Sequence, residues 1–205
     1  PAPKGVAWAV KQYNNLGGGW NNKQAQRVAD RFALQQYEAR HPVVQKYRDY
    51  LAELGLKVDL TGNIYLVPID PAESDNLPRE SGDGIPVDQG AVGQLSVTNQ
   101  LRDNQLTAEC LTDLQALRKK VRSKYLGVQA VSYVRIRGPW KSKGLGNILY
   151  EIALHNAATG FGTGKPAALI PSSCTNSPTS GEADRVWVSL ARRFPSVGHV
   201  VFYGK

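Results

Sequence analysis

The stretch of sequence that decides the fold is VSYVRIRGPWKSKGLGNILYEIALHNA, residues 131–157. Side chains on alternate faces up to its first glycine predict a strand over residues 128–137. An apolar run with helical period follows and predicts a helix from Gly144 to about Ala158. A strand that enters a helix through a glycine-rich turn leaves backbone N–H groups unpaired at the start of the helix.

The turn itself has the composition of an anion site. Unpaired N–H groups and the positive end of the helix macrodipole attract phosphate, and Gly144 and Gly146 lack a Cβ that would keep it away. Lys141 and Lys143 oppose the macrodipole unless an anion neutralises them. The same glycines are also typical of a turn that needs them for backbone reasons alone. The spacing matches neither a Walker A loop nor a dinucleotide fingerprint.

The remaining periodicities predict an α/β or α+β sheet domain and exclude a helical bundle. We expect one compact domain overall, made of an N-terminal region (1–68), an acidic Pro/Gly-rich surface loop (69–93) and a main part (94–205). The predicted helices cover 23–40 and 42–54, as an antiparallel pair, then 106–127 with Thr107 as N-cap, and 181–194; the predicted strands cover 63–69, 94–98, 167–171 and 198–204.

Composition excludes several classes of protein. The 205 residues contain no run of eighteen apolar residues and no signal-peptide core near the N-terminus, so we expect a cytoplasmic protein without a membrane partner. Cys110 and Cys174 make neither a disulfide framework nor a zinc pattern, and Cys174 is expected to be an inert thiol. The three histidines are isolated, and we expect no metal.

Positive charge is concentrated in the second half of the chain. Residues 115–149 contain no acidic side chain and nine lysines and arginines, whereas residues 70–88 contain six acidic side chains and one arginine. This asymmetry predicts a zone that attracts anions, with nucleic acid as one candidate partner. A solvated basic helix face explains part of the same pattern.

The decisive stretch resembles the signature motif of the GNAT superfamily of N-acetyltransferases, which is a strand, then Arg/Gln-x-x-Gly-x-Gly/Ala, then a helix. Lys141, Gly144 and Gly146 occupy the three defining positions, and Trp140 stands where an aromatic residue often precedes the basic one. The resemblance extends over about residues 128–203. It implies a mixed, splayed central sheet flanked by helices.

The resemblance also implies acetyl-CoA as co-substrate and an amine as acceptor, which attacks the thioester directly. The pantetheine would lie against the central strand and the pyrophosphate on the loop. The cofactor-binding residues implied are Val134, Ile136, Lys141, Ser142, Lys143, Gly144, Leu145, Gly146 and Asn147.

Three departures from the family pattern concern the chemistry. Lys141 replaces the usual Arg or Gln, and a helix precedes the central strand. Trp187 stands where the family often has a tyrosine acid, in a loose match that includes Ala183, Val186 and Phe194. The central strand carries no carboxylate to act as base. The candidate proton carriers are Tyr133, Tyr150, His155 and Tyr203, with Ser173 and Cys174 nearby; each is also explained by packing or solvent exposure.

Three functions compete at this stage. The first is an N-acyltransferase that uses acetyl-CoA and acts on a protein, a nucleic-acid base or a small amine. The second is a catalytically inactive binding or structural protein with the same fold, associated with nucleic acid through residues 114–150, such as a component of a virus particle. The third is a docking module whose N-terminal arm, with Trp8, Tyr13 and Trp20, holds a protein partner.

Overall fold

The computed structural model describes residues 22–77, 87–88, 90–122, 126–161 and 163–194. Its packing separates two units, Pro1–Arg48 and Asp49–Lys205. The predicted strand over 198–204, its Tyr203, and the aromatic residues of the N-terminal arm lie outside the described residues.

Two helices begin the described chain, as the periodicity predicts. Helix α1 covers Asn22–Arg40, and α2 covers Pro42–Glu53 and continues into the second unit. His41, which is buried, separates them, and its Nδ1 accepts hydrogen bonds from the N–H groups of Val43 (3.2 Å) and Val44 (3.4 Å). The imidazole thus caps α2. Pro42 occupies the first helical position, where its lack of an N–H group leaves no donor unsatisfied. The antiparallel arrangement of the two helices stays a prediction.

The second unit is built on a five-stranded mixed sheet, which confirms the predicted mixed α/β class. The strands lie side by side in chain order, antiparallel from the first to the fourth, and the fourth and fifth are parallel. Only the first strand is absent from the sequence prediction, because four residues directly after a helix give too short an alternation. The strands are β1 (Leu56–Asp59), β2 (Ile64–Pro68), β3 (Gly93–Thr98), β4 (Gly127–Ile136) and β5 (Ala167–Ile170).

Helix α4 (Ala108–Lys120) covers one face of the sheet. Thr107 caps it, as predicted, by accepting from the N–H of Cys110 at 3.3 Å. Its apolar side chains form a buried cluster with the first part of β4 and with β5, made of Cys110, Leu114, Leu117, Val128, Ala130, Ala168, Ile170 and Cys174. We call this set the α4 cluster.

The α4 cluster contains a disulfide bond between Cys110 and Cys174, so the prediction of an inert thiol at Cys174 is wrong. The two residues are 64 positions apart, and neither their spacing nor their neighbours indicates the pairing. The fold brings them together because the cluster places α4 beside the turn that follows β5. Disulfides are typical of oxidising compartments, whereas the cytoplasmic location is only an expectation from the sequence.

Helix α5 (Leu145–Thr159) packs against the opposite face of the sheet and against helix α6 (Gly181–Arg193). Its Ile148, Leu149 and Ile152 are almost completely buried, which explains the apolar run seen in the sequence. Glu151 is also buried, and its carboxylate is paired with the guanidinium of Arg193 at the end of α6. This ion pair ties α6 to α5.

The predicted surface loop over 69–93 is only partly correct. It begins with a short helix, α3 (Pro71–Asp75), but Val87, Ala91 and Val92 at its other end are buried. Arg137 is buried beneath this end, where its Nε donates to the carbonyl of Ala91 at 2.5 Å, and burial lowers its pKa. Arg137 thus belongs to the interior and does not contribute to a basic surface.

Strand β4 changes its partners along its length. Its first four residues pair with β5, and the ladder ends at Ala130 opposite Ile170, because Pro171 follows and has no N–H to donate. Pairing with β3 continues to Ile136, with a bulge at Ser132, since Ser96 opposes Tyr133 and Val97 opposes Val131. The regular alternation predicted for this strand is therefore interrupted at Ser132.

Candidate ligand site

A cavity of about 490 Å³ lies beside the second part of β4. One wall is the edge of residues 131–136, which has no β5 residue opposite it in the ladder. The other walls are the loop before α5, the segment before α6, and the first two turns of α6. The cavity exists because β5 ends early and its continuation turns away through Ser172–Thr175.

The loop before α5 is shaped by two residues with positive φ. Gly144 has φ 70° and stands at the N-cap position without a side-chain hydrogen bond. Ser142 has φ 64°, a conformation that costs a residue with a Cβ of order 1 kcal/mol. Tyr50 fixes the loop from outside by donating its hydroxyl to the carbonyl of Lys143 at 2.7 Å.

Backbone donors at the start of α5 are unsatisfied, as the sequence predicts. Asn147 and Ile148 donate to the carbonyl of Gly144, but no group in the described chain accepts from the N–H of Leu145 or Gly146. A Cβ built on Gly146 would meet only Ile136 Cδ1, at 3.7 Å, so crowding within the protein does not require glycine at this position. The position leaves space on the cavity side for a ligand.

The predicted cofactor-binding residues divide into two groups. Five of them line the cavity: Val134, Ile136, Lys141, Ser142 and Gly146. The side chain of Leu145 is buried in the core, and Lys143 places its Nζ over the ring of Trp140, 5.1 Å from the centroid. Gly144 is exposed, and Asn147 has a buried Oδ1 without a hydrogen-bond partner.

The predicted proton carriers also divide. Tyr133 and Tyr150 line the cavity, whereas His155 lies farther along α5, outside the lining, and burial lowers its pKa. The guanidinium of Arg135 lies over the ring of Tyr133, 4.5 Å from the ring centroid. Ser173 donates its N–H to Thr179 and is not among the lining residues.

Tyr150 and Trp187 form the floor of the cavity. Their rings meet edge to face, with centroids 5.1 Å apart, and both side chains are buried. Burial, with a smaller contribution from Asp184, raises the pKa of Tyr150 to about 12, so its hydroxyl stays protonated at neutral pH. Trp187 Nε1 is buried without a partner in the described chain.

The structure adds a carboxylate that the sequence reasoning missed. Glu182 lines the cavity from the first turn of α6, beside Ser180, which caps this helix by accepting from the N–H of Ala183 at 3.2 Å. The capping serine before an apolar helix can be recognised in the sequence, but the sequence does not show in which direction that helix runs. Two cations, Arg135 and Lys141, and this one carboxylate are the charged groups of the described lining.

The basic stretch 114–150 does not form one surface. Arg118 pairs with Asp103 (2.7 and 3.0 Å) and lowers the pKa of that carboxyl group, and it also donates to the carbonyl of Leu126. Arg137 is buried and Arg135 stacks on Tyr133. The exposed cations of this stretch that remain on α4 lie at its C-terminal end, where they complement the macrodipole.

Comparison of the chain with protein-family models, with curated proteins and with solved structures found no match. Among the described residues, no group of three or more His, Cys, Asp and Glu side chains is placed to hold a metal ion. No helix in the described ranges has the length and apolarity that crossing a membrane requires.

Proposed function

We propose that the chain is an N-acyltransferase that binds acetyl-CoA in the cavity beside β4 and transfers the acetyl group to an amine. The observation that carries this proposal is the coincidence of two features in one cavity: unsatisfied N–H groups at the start of α5 and a strand edge with no β5 residue opposite it in the ladder. The first suits a pyrophosphate and the second suits the amides of a pantetheine arm.

The nucleotide end of the ligand is assigned to the α5 terminus. The N–H groups of Leu145 and Gly146 would donate to pyrophosphate oxygens, and Lys141 would add a positive charge at the cavity wall. The resemblance to the GNAT motif implies the same role for this loop, and Lys141 and Gly146 are two of its three defining positions. An anion there also compensates the cost of placing a lysine at a helix N-terminus.

The reaction joins the acceptor nitrogen to the thioester carbonyl carbon and breaks the bond between that carbon and sulfur. The amine must lose a proton before or during the attack, and the departing thiolate must gain one. Glu182 is the carboxylate of the described lining that suits the first role, and it lies on the wall that faces β4. The amine acceptor would enter beside it.

Calorimetry of acetyl-CoA binding tests the proposal. Lys141→Glu is expected to weaken binding roughly 10- to 100-fold, since it removes a charge-assisted phosphate contact and adds repulsion. Lys165→Glu is the matched control, because it makes the same change of net charge on an exposed lysine outside the cavity lining and should change affinity less than twofold. Equal losses for both variants, or no binding by the parent chain, would reject the proposal.

A second candidate is binding without turnover. Trp187 favours it, because an indole has no proton of useful acidity for the leaving thiolate, and it occupies the cavity floor where the resemblance expects a tyrosine. Release of free thiol from acetyl-CoA in the presence of a panel of amines distinguishes the two. Tight binding with no amine-dependent thiol release would favour the inactive binding protein.

A further inference from the structure

Tyr150 is a buried polar side chain that opens onto the cavity. Its side chain is 3% exposed and lines the cavity, and the described chain offers its hydroxyl no hydrogen-bond partner. Among the residues that the structure describes, the fully buried side-chain atoms without a hydrogen-bond partner are Asn147 Oδ1 and Trp187 Nε1, and the Tyr150 oxygen is not one of them. The hydroxyl is therefore the part of this side chain that remains accessible from the cavity.

An unpartnered hydroxyl that faces the cavity favours an occupant with an acceptor at this point, because an occupant without one would displace water and leave the hydroxyl unsatisfied. The protonated phenol can donate one hydrogen bond. Trp187 packs edge to face against its ring and holds the orientation of the side chain. The pair thus presents a fixed O–H group to whatever occupies the cavity.

The position of Tyr150 along α5 selects which part of acetyl-CoA it meets. Tyr150 is six residues after Gly144, which corresponds to about 9 Å along the helix axis. An extended chain advances about 1.2 Å per bond, so the two pantetheine amide carbonyls lie about 6 and 11 Å from the pyrophosphate, and the thioester lies about 17 Å away. Helical side chains also lean toward the N-terminus, away from the thioester.

We infer that the hydroxyl of Tyr150 donates a hydrogen bond to an amide carbonyl of the pantetheine arm, and that this residue selects pantetheine-bearing ligands over plain nucleotides. The inference rests on the proposed function and makes Tyr150 a binding residue. It does not make Tyr150 the acid that protonates the thiolate. A phenol with a pKa of about 12 is a weaker acid than a thiol with a pKa of about 8.5 by roughly three powers of ten.

The test compares three ligands on the parent chain and on Tyr150→Phe by calorimetry: 3′-phospho-ADP, which has no arm, coenzyme A and acetyl-CoA. Tyr150→Phe should weaken coenzyme A and acetyl-CoA equally, by roughly fivefold, and should leave 3′-phospho-ADP unchanged. Tyr47→Phe, which removes a hydroxyl outside the cavity lining, should change none of the three affinities.

Three outcomes overturn the inference. Unchanged affinity for coenzyme A would show that the hydroxyl makes no contact, and a loss confined to acetyl-CoA would place the contact at the thioester. An equal loss for all three ligands would show a structural role. If the parent chain binds none of the three ligands, the proposed function fails as well. If it binds all three and Tyr150→Phe changes none of the affinities, only this inference is rejected.

A ligand-side change keeps the test valid if Tyr150→Phe does not fold. Two coenzyme A analogues, each with one amide carbonyl oxygen replaced by sulfur, weaken one acceptor at a time, keep the N–H group, add no charge and leave the protein unaltered. On the parent chain, one analogue should bind more weakly than coenzyme A, by up to about fivefold, because the sulfur is the weaker acceptor for this hydrogen bond. Affinities equal to that of coenzyme A for both analogues would overturn the assignment.

Discussion

The two parts of strand β4 show opposite ways of using a sheet edge. Residues 127–130 pair with β5, Ala130 also pairs with Thr98 of β3, and the α4 cluster and its disulfide cover this part. Residues 131–136 keep the β3 partner but have no β5 residue on the other side, and they line the cavity. One strand thus contributes stability at its beginning and an open backbone at its end.

The difference teaches that the cavity depends on where pairing stops. The paired part needs only apolar side chains, whereas the open part needs other elements to hold its far wall. Helix α6 forms that wall, and the Glu151–Arg193 ion pair holds α6 to α5. Changes at the two parts should therefore have separable effects on stability and on ligand affinity.

The largest effect is expected at the paired part. Replacing both Cys110 and Cys174 by serine should lower the free energy of unfolding by about 4 kcal/mol, because the disulfide closes a long loop in the unfolded chain. Urea unfolding without reductant measures it, and thiol labelling of the parent shows whether the bond is formed. Affinity for acetyl-CoA should change less than twofold; a large loss of affinity would show that the two parts are not separable.

An intermediate effect is expected at the wall of the cavity. Arg193→Ala should lower the free energy of unfolding by about 2 kcal/mol, because the buried carboxylate of Glu151 loses this partner. Arg192→Ala is the matched control, since it removes the same charge from an exposed neighbour and should cost less than 0.5 kcal/mol, about the size of other surface substitutions.

The double variant Arg193→Ala with Glu151→Gln sharpens this result. It should recover part of the lost stability, because a neutral amide is easier to bury than a carboxylate that has lost this ion pair. A double variant that is less stable than Arg193→Ala alone would contradict the assigned role of the ion pair.

The smallest effect on stability is expected beside the open part of β4. There one substitution should raise the free energy of unfolding and weaken ligand binding. Gly146→Ala should raise the free energy of unfolding by about 0.5 kcal/mol, because alanine is the better helix former and its Cβ meets only Ile136 Cδ1. The same methyl group should weaken acetyl-CoA binding roughly tenfold by crowding the N–H groups to which we assign the pyrophosphate. Thermal unfolding and calorimetry on one preparation measure both; unchanged affinity would move the pyrophosphate elsewhere.

Local periodicity was enough to predict most elements. The helices that begin at Asn22, Pro42, Ala108, Leu145 and Gly181 were predicted within a few residues at their starts, because each has an apolar stripe and a recognisable start. Strands β2 to β5 were found by their apolar runs between turn residues. The unsatisfied N–H groups before α5 were predicted on the same local basis, from the glycine-rich turn between a strand and a helix, and anion binding there stays a prediction.

Features that depend on residues far apart in the chain could not be predicted. The Cys110–Cys174 bond joins residues 64 positions apart, and the burial of Arg137 depends on carbonyls at Asp88 and Ala91. Glu182 reaches the cavity only because α6 lies across from β4. The composition of residues 69–93 indicated a surface loop, but it could not reveal that Val87 and Val92 fill the core beneath β2 and β4.

The bulge at Ser132 sets the shape of the cavity wall without setting where pairing stops. A surplus residue in a bulge opposes no partner, so a deletion of Ser132 would leave Tyr133 and all later residues of β4 on their present faces of the sheet. Only the bend and the extra twist would be lost, while Pro171 would still end the ladder with β5 at Ala130. Loss of a single codon would therefore reshape this wall and keep the strand edge open.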